Sequence, residues 1–382
     1  MSEELSIKIL KNLISFDTTS YKSNLHLIKY IEKYLDTFNI KSHLIYDTTG
    51  KKANIYATIG SNKNEGIMLS GHTDVVPAIG NNWNSDPFNL TKKKNKLYGR
   101  GTADMKSFIA LVLSRIPQII KSNLSKSFHL AFSYDEEVGC LGVHRLIDLL
   151  ENTEFKPTLC IVGEPTNMEI VIGHKGKCSH EVEVKGLACH SGQAPLGVNA
   201  INYATKLISF ILDLAKQKSI NGPFDYDYEI PYTTLHTGVI SGGTVINIVP
   251  ELCNFEFEIR YLKEDNPKDL MDKIKAYSNE YLIPEMNKIS DKTGINFKEK
   301  IYYPGLSIDK NSELVKMIKE ILNEKKHKKV IFGTEAGLFQ EKLNIPTVVC
   351  GPGSINQAHK ANEYIDIGQL KKGGIFLDKL IQ

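Results

Sequence analysis

Two hydrophobic periodicities divide the chain. Up to about Gly173, and again after about Pro304, short continuous apolar runs alternate with longer segments of helical period. Ile67–Ser70 (IMLS), Ser127–Tyr134, Thr158–Val162 (TLCIV) and Ile345–Cys350 (IPTVVC) read as short buried strands, and segments such as Ser107–Ile120 (SFIALVLSRIPQII) as the helices between them. That alternation predicts an α/β architecture, a mostly parallel sheet flanked by helices. The middle of the chain follows another rule. Lys177–Gly186 (KCSHEVEVKG) alternates polar and apolar positions as a half-exposed strand does. A helix over Asn199–Lys216 follows, then strands TTLHTGVIS and LCNFEFEIRYL, a helix over Lys268–Leu282 and strand INFKEKIYY. The order β-α-β-β-α-β predicts an inserted α+β domain, a four-stranded antiparallel sheet with two helices on one face. Its expected span is 175–303, between two parts of the α/β domain at 1–174 and 304–382.

Length agrees with that division, because 382 residues exceed the usual size of one domain. An apolar fraction of 41% and a charged fraction of 24% are those of an ordinary soluble protein. The net charge of +3 is small, and the lysine runs at Lys92–Lys94 and Lys325–Lys329 read as solvated faces, not as a nucleic-acid footprint. Six cysteines without a C-x-x-C pair argue against a zinc ribbon or a disulfide scaffold. The segment MSEELSIKILKNLISF starts acidic and lacks the uninterrupted apolar core of a signal peptide. No apolar stretch approaches the roughly 20 residues of a membrane span. A cytoplasmic protein is expected, with neither nucleic acid nor membrane as partner.

The chemistry gathers at the strand ends, where open α/β sheets bind ligands. IMLS runs into GHTDVVP with His72 and Asp74, and the strand ending at Tyr134 runs into Asp135, Glu136 and Glu137. TLCIV is followed by Glu164, IPTVVC by a loop with His359, and GRGTADMK places Asp104 just before a helix. Singly, each has a structural explanation, such as a turn, a cap or a solvated charge. Together they bring imidazoles and carboxylates to one rim, a donor set that suits zinc, cobalt or manganese. Three consecutive carboxylates at a buried strand's end also demand a positive partner.

GHTDVVP, GRGTADMK, YDEEVGCLG, VGEPT, CHSG and GPGSINQAHKANEY, spread over nearly the whole chain, closely resemble the co-catalytic zinc amidohydrolase and peptidase family. TEAGLFQ, GGTVINIVP and GPGSINQAHK look specifically like its acetylornithine-deacetylating branch. Position by position, the resemblance implies one metal on His72 and Glu164, a second on Glu137 and His359, and Asp104 bridging them. Asp74 would fix the His72 ring through its second nitrogen, and the Asp104–Met105 peptide would be cis. Glu136, free of metal, would be the general base. Ser107 stands where many relatives carry glycine. The inserted domain would be a lid and dimerisation domain whose His190 reaches the site of a partner chain. Asn247 and Arg260 would hold the substrate's carboxylate or acyl oxygen, with Arg suited to it by its fork of donors. His174, His180 and His236 match no such position and are expected to be structural. The implied activity is hydrolysis of the acetyl amide of N2-acetyl-L-ornithine, a step of arginine biosynthesis, by a homodimer carrying two divalent ions per chain, zinc or cobalt. Thr334 and Glu335 would recognise the substrate, Glu335 through its cationic amine. A broader N-acyl-amino-acid deacylase or a desuccinylase is the nearest rival reading. A non-catalytic metal- or amino-acid-binding protein is a rival of another class, and the intact Glu136 argues against it.

Overall fold

The four apolar runs become adjacent strands because each is short enough, and apolar enough, to be covered on both faces. A computed structural model of the chain describes residues 2–60, 65–78, 80, 82–122 and 127–382. It divides into two units, Met1–Gly173 with Leu306–Lys329 and Thr334–Gln382, and His174–Gly305 with Val330–Gly333.

In the first unit, Ser127–Ser133, Gly66–His72, Leu159–Pro165 and Thr347–Gly351 run parallel in that order. Ala53–Ile59 and then Ser42–Tyr46 extend one edge antiparallel, and Val171 pairs antiparallel on the other side. Gly66–His72 and Ser127–Ser133 are buried at every residue. The helix expected over Ser107–Ile120 spans Lys106–Lys121 and is buried from Lys106 through Ile116. It packs between the helices Ser2–Ile14 and Ile367–Leu380, which is why it lacks a polar face. One expectation needs correction. The strand begun by TLCIV continues through Pro165, so Glu164 lies inside it and not in a turn beyond. Thr347–Gly351 runs alongside and keeps that stretch paired as far as Pro165.

The loop before the long helix is held from a distance. The buried Glu363 carboxylate accepts the N–H groups of Gly101 at 3.0 Å, Ala103 at 2.7 Å and Asp104 at 3.1 Å. Arg100 donates to it at 2.7 Å, so the buried charge is both paired and hydrogen-bonded. Lys106 is fully buried and donates to the carbonyls of Leu13 and Phe16. Its burial pushes the amine down to about 7.

The second unit holds the antiparallel sheet, in the order Thr234–Gly242, Leu252–Tyr261, Gly176–Lys185, Gly294–Tyr303. Its helices start where their caps dictate. Asn199 accepts from the Asn202 N–H ahead of Ala200–Asn221, and Asn266 from the Lys268 N–H ahead of Pro267–Tyr277, with proline at the first helical position. The latter helix was expected to run unbroken to Leu282; over Ser278–Leu282 it widens into a π-turn.

Candidate metal centre

His72 is the last residue of its strand and pairs with Ser133, the last of the neighbouring parallel strand. Glu136 and Glu137 follow three and four residues beyond Ser133, and Glu164 projects from the next strand. Asp104 sits two residues ahead of the long helix, joined to Met105 by the expected cis peptide. His359 lies in the loop after Thr347–Gly351 with φ 60°, and Asp135 has φ 55°. Both backbones occupy the left-handed region, which non-glycine residues adopt uncommonly and Asp and His more readily than most.

Elements far apart in sequence thus deliver two imidazoles and three carboxylates to one point. His72 Nε2 is 2.9 Å from Asp104 Oδ1 and 3.6 Å from Glu164 Oε1. His359 Nε2 is 2.9 Å from Glu137 Oε2 and 3.4 Å from Asp104 Oδ2. The two oxygens of Asp104 are therefore divided between two histidines, each of which has a further carboxylate of its own. Glu136 stands beside the cluster, within 4.8 Å of ligand atoms of His72 and Glu164.

The charges explain what such a cluster needs. Burial first, and then the neighbouring carboxylates, push Glu136 and Glu164 well above the usual carboxyl range, and Glu137 to about 7. Hydrogen bonds donated to Asp104 and Glu137 lift His359 to about 10. Burial opposes charge on His72, yet Glu164, Asp104 and Asp74 together raise it. Four acidic groups in a site shielded from water call for cations. Two divalent ions would supply them. The buried Glu137 Oε1 has no hydrogen-bond partner, as a ligand oxygen facing a metal would not. The donor set, imidazole nitrogen and carboxylate oxygen, is one that zinc and its neighbours accept.

The consecutive carboxylates each have a different fate. Asp135 is bound by Lys52 Nζ at 2.5 and 2.7 Å, a partner not evident from the sequence. Glu137 belongs to His359. Glu136 keeps its carboxylate free of both, with the Cys140 thiol donating to Oε1 at 3.5 Å.

Asp74 does more than orient a ring. The acceptor nearest His72 Nδ1 is the Asp74 main-chain carbonyl at 2.9 Å, while its carboxylate is 3.6 Å away. That carboxylate accepts the N–H of Glu136 at 3.1 Å, the N–H of Glu137 at 3.3 Å and the Ser20 hydroxyl at 2.8 Å. One buried residue, through its carbonyl and its carboxylate together, therefore fixes His72, Glu136 and Glu137 relative to one another.

The remaining predicted residues are placed less directly. Thr334 is buried, and its hydroxyl accepts the Ala336 N–H at 3.0 Å, capping the helix Ala336–Leu343. Glu335 is buried beneath the sheet ends. The Ser70 hydroxyl donates to Oε2 at 3.5 Å, Oε1 has no partner, and burial pushes the group to about 7. His190, Asn247 and Arg260 belong to the second unit. His190 is exposed and caps a short turn by accepting the Gly192 N–H at 3.1 Å, and the Asn247 carbonyl accepts the Ser191 N–H. Arg260 is already engaged, with Nε donating to Glu258 at 3.0 Å and Nη1 to the Tyr303 hydroxyl at 2.8 Å.

If Asp74 is the common anchor, Asp74→Ala loosens the metal ligands without removing one. The expected result is a loss of about 10–100-fold in metal affinity, the usual cost of an outer-sphere partner. Competition with a chromogenic chelator measures it, and unchanged affinity would contradict the anchoring role.

The sequence profile of peptidase family M20/M25/M40 matches residues 68–382. The acetylornithine deacetylase of Proteus mirabilis is 34% identical over 372 residues, covering 96% of this chain and 92% of that protein. That of Buchnera aphidicola subsp. Schizaphis graminum is also 34% identical, over 98% of this chain and 97% of its own. Among solved structures, a Staphylococcus aureus tripeptidase superposes with a TM-score of 0.77 at 20% identity, covering 99% of this chain and 97% of that one. A dinuclear metal-binding peptidase of Bacillus subtilis does so at 0.68 and 15%, covering 100% and 97%; these two likenesses concern the fold. Profile and relatives converge on one conclusion: the chain belongs to peptidase family M20/M25/M40 and is a metal-dependent amide hydrolase.

Proposed function

We propose that the substrate is N2-acetyl-L-ornithine, cleaved to acetate and L-ornithine as in arginine biosynthesis, in the cytoplasm. The observation that carries the hydrolytic site is the division of the Asp104 carboxylate between His72 and His359, with Glu136 left free beside them. The choice of acyl amino acid rests on the likeness to acetylornithine deacetylases. In this reading His72 and Glu164 would hold one zinc ion, Glu137 and His359 the other, and Asp104 would serve both; cobalt would be a chemically equivalent occupant.

Bound ions of this kind polarise an amide carbonyl and lower the pKa of a water from about 15.7 to about 7. Glu136 accepts the proton of the attacking water and returns it to the departing amine. Its N–H is held by Asp74, which sets where the carboxylate can reach. His190 of a second copy donates to the oxyanion, and Asn247 and Arg260 receive the substrate's carboxylate or acyl oxygen. Dimerisation through the second unit is supported by its exposed apolar side chains, Val239, Ile240, Val245, Ile248 and Ile246, the last 99% exposed. Val239 and Ile240 lie on Thr234–Gly242, an end strand of the sheet with an open edge.

Glu136→Gln is expected to lower kcat by about 10²–10⁴-fold, the range of a lost acid–base group, with metal content unchanged. Mixed with inactive His190→Ala protein, it should regain activity, because one mixed dimer assembles a complete site. Near-normal turnover by Glu136→Gln would overturn the mechanism, and absence of recovery after verified subunit exchange would overturn action in trans.

Glu335 is the proposed determinant of substrate choice. A buried carboxylate with one unpartnered oxygen suits a cationic amine, and such a charge-assisted bond contributes about 1.5–3 kcal/mol. Glu335→Gln should then raise KM for N2-acetyl-L-ornithine by roughly 10- to 150-fold, with N-acetyl-L-methionine hydrolysed as before. The burial of Glu335 and its bond from Ser70 favour a second reading, a brace under the strand ends. An equal fall for both substrates would select it.

A further inference from the structure

Among the described residues, one group of potential metal donors lies away from the centre described above. Cys178, His180 and Glu299 each offer a ligand atom within 4.8 Å of the others, and all three belong to the second unit. Cys178 and His180 are two apart on the strand Gly176–Lys185 and so project from one face. Glu299 lies directly opposite His180 on Gly294–Tyr303. Further along the same rows stand Val182, Val184, Ile295 and Phe297, all packed in the apolar core of this unit. A thiol, an imidazole and a carboxylate thus take over at the end of a face that is otherwise hydrophobic. The register shifts immediately after Glu299, between it and Ile301. Bulges of this kind re-aim side chains and are frequent beside functional sites.

We propose that Cys178, His180 and Glu299 form a further cation site, for a borderline-soft divalent ion of the zinc or cobalt type, with water completing the coordination. Zinc bonds of about 2.3 Å to sulfur and about 2.0–2.1 Å to imidazole, at a tetrahedral angle, set those two atoms about 3.6 Å apart. Cys178 Sγ and His180 Nδ1 are 3.6 Å apart. The Glu299 carboxylate is 3.9 Å from His180 Nε2, and its side chain is 60% exposed, so it can turn toward the same point and leave an entry path. The His180 ring is already oriented, stacked on Phe257 at 5.6 Å between centroids and 19° between planes. On binding, the Cys178 thiol gives its proton to solvent as the sulfur–metal bond forms. Thiolate and carboxylate together then cancel the ion's two charges. Burial first and Glu299 next hold the Cys178 thiol protonated until a cation arrives, with Lys275 acting the other way. A bound ion would link the two strands at this end of the sheet. This site stands apart from the hydrolytic reading, which would survive its failure.

Titration of metal-stripped full-length protein with Co²⁺ tests the proposal, read by the thiolate-to-cobalt charge-transfer absorption and by bound metal per chain. The wild type should develop the band and bind one equivalent more than Cys178→Ser, which should lack it. Cys140→Ser should retain the band, which separates this thiol from the one beside Glu136. Glu299→Gln alters an exposed side chain, so its fold should be intact by circular dichroism even if Cys178→Ser folds poorly. Its affinity for the extra equivalent should fall by more than about tenfold, since even outer-sphere partners are worth that much. No thiolate band in the wild type, a band that survives in Cys178→Ser, or wild-type affinity in Glu299→Gln would overturn the proposal.

Discussion

Carboxylates crowded into a place shielded from water must either take up protons or be matched by cations, and the first unit is built around that necessity. Asp104, Glu136, Glu137 and Glu164 converge where parallel strands end, and burial, then mutual repulsion, drives three of them toward their neutral forms. Two histidines cannot balance four carboxylates as an ordinary set of ion pairs, and one of them, His72, would have to remain a buried cation. Divalent ions resolve the conflict. In the proposed mechanism they would keep the carboxylates ionised, and Glu136, which is bound to neither histidine, would be left as the base.

The surrounding structure holds that arrangement in place from outside. Asp74 ties the ring of His72 to the backbone of Glu136 and Glu137, joining the ends of two adjacent parallel strands. Glu363 gathers three N–H groups of the loop that presents Asp104, so this ligand is aimed by a residue of the last part of the chain. Lys52 removes Asp135 from the cluster. Each of these partners is buried or half-buried, where a lost hydrogen bond costs most.

Sequence reading succeeded where one physical signal dominates. Strands covered on both faces must be continuously apolar, so the runs at Ile67, Ser127 and Ile345 announced the central sheet, and regular alternation announced the antiparallel one. The helix Lys106–Lys121 was legible from its length. What escaped were contacts between distant residues. Nothing near Asp135 points to Lys52, and nothing near Asp104 points to Glu363, although Glu363 lies in the same segment as His359. Glu164 was placed just beyond its strand because the strand's length depends on a neighbour across the sheet. Tyr303, a partner of Arg260, was equally hidden from its sequence neighbourhood. The ligand set itself was suggested by resemblance; composition and period alone would have left a rim of histidines and acids with no assigned roles.

The central claim is that hydrolysis depends on cations held jointly by His72, Glu164, Asp104, Glu137 and His359. Acetate release from N2-acetyl-L-ornithine by chelator-stripped protein, followed as zinc is added back, tests it most directly. The account predicts no turnover in the stripped protein and a rise to a plateau as zinc binds, with no such rise in Asp104→Ala. Turnover by the stripped protein at the rate of the loaded one, or full recovery in Asp104→Ala, would contradict it.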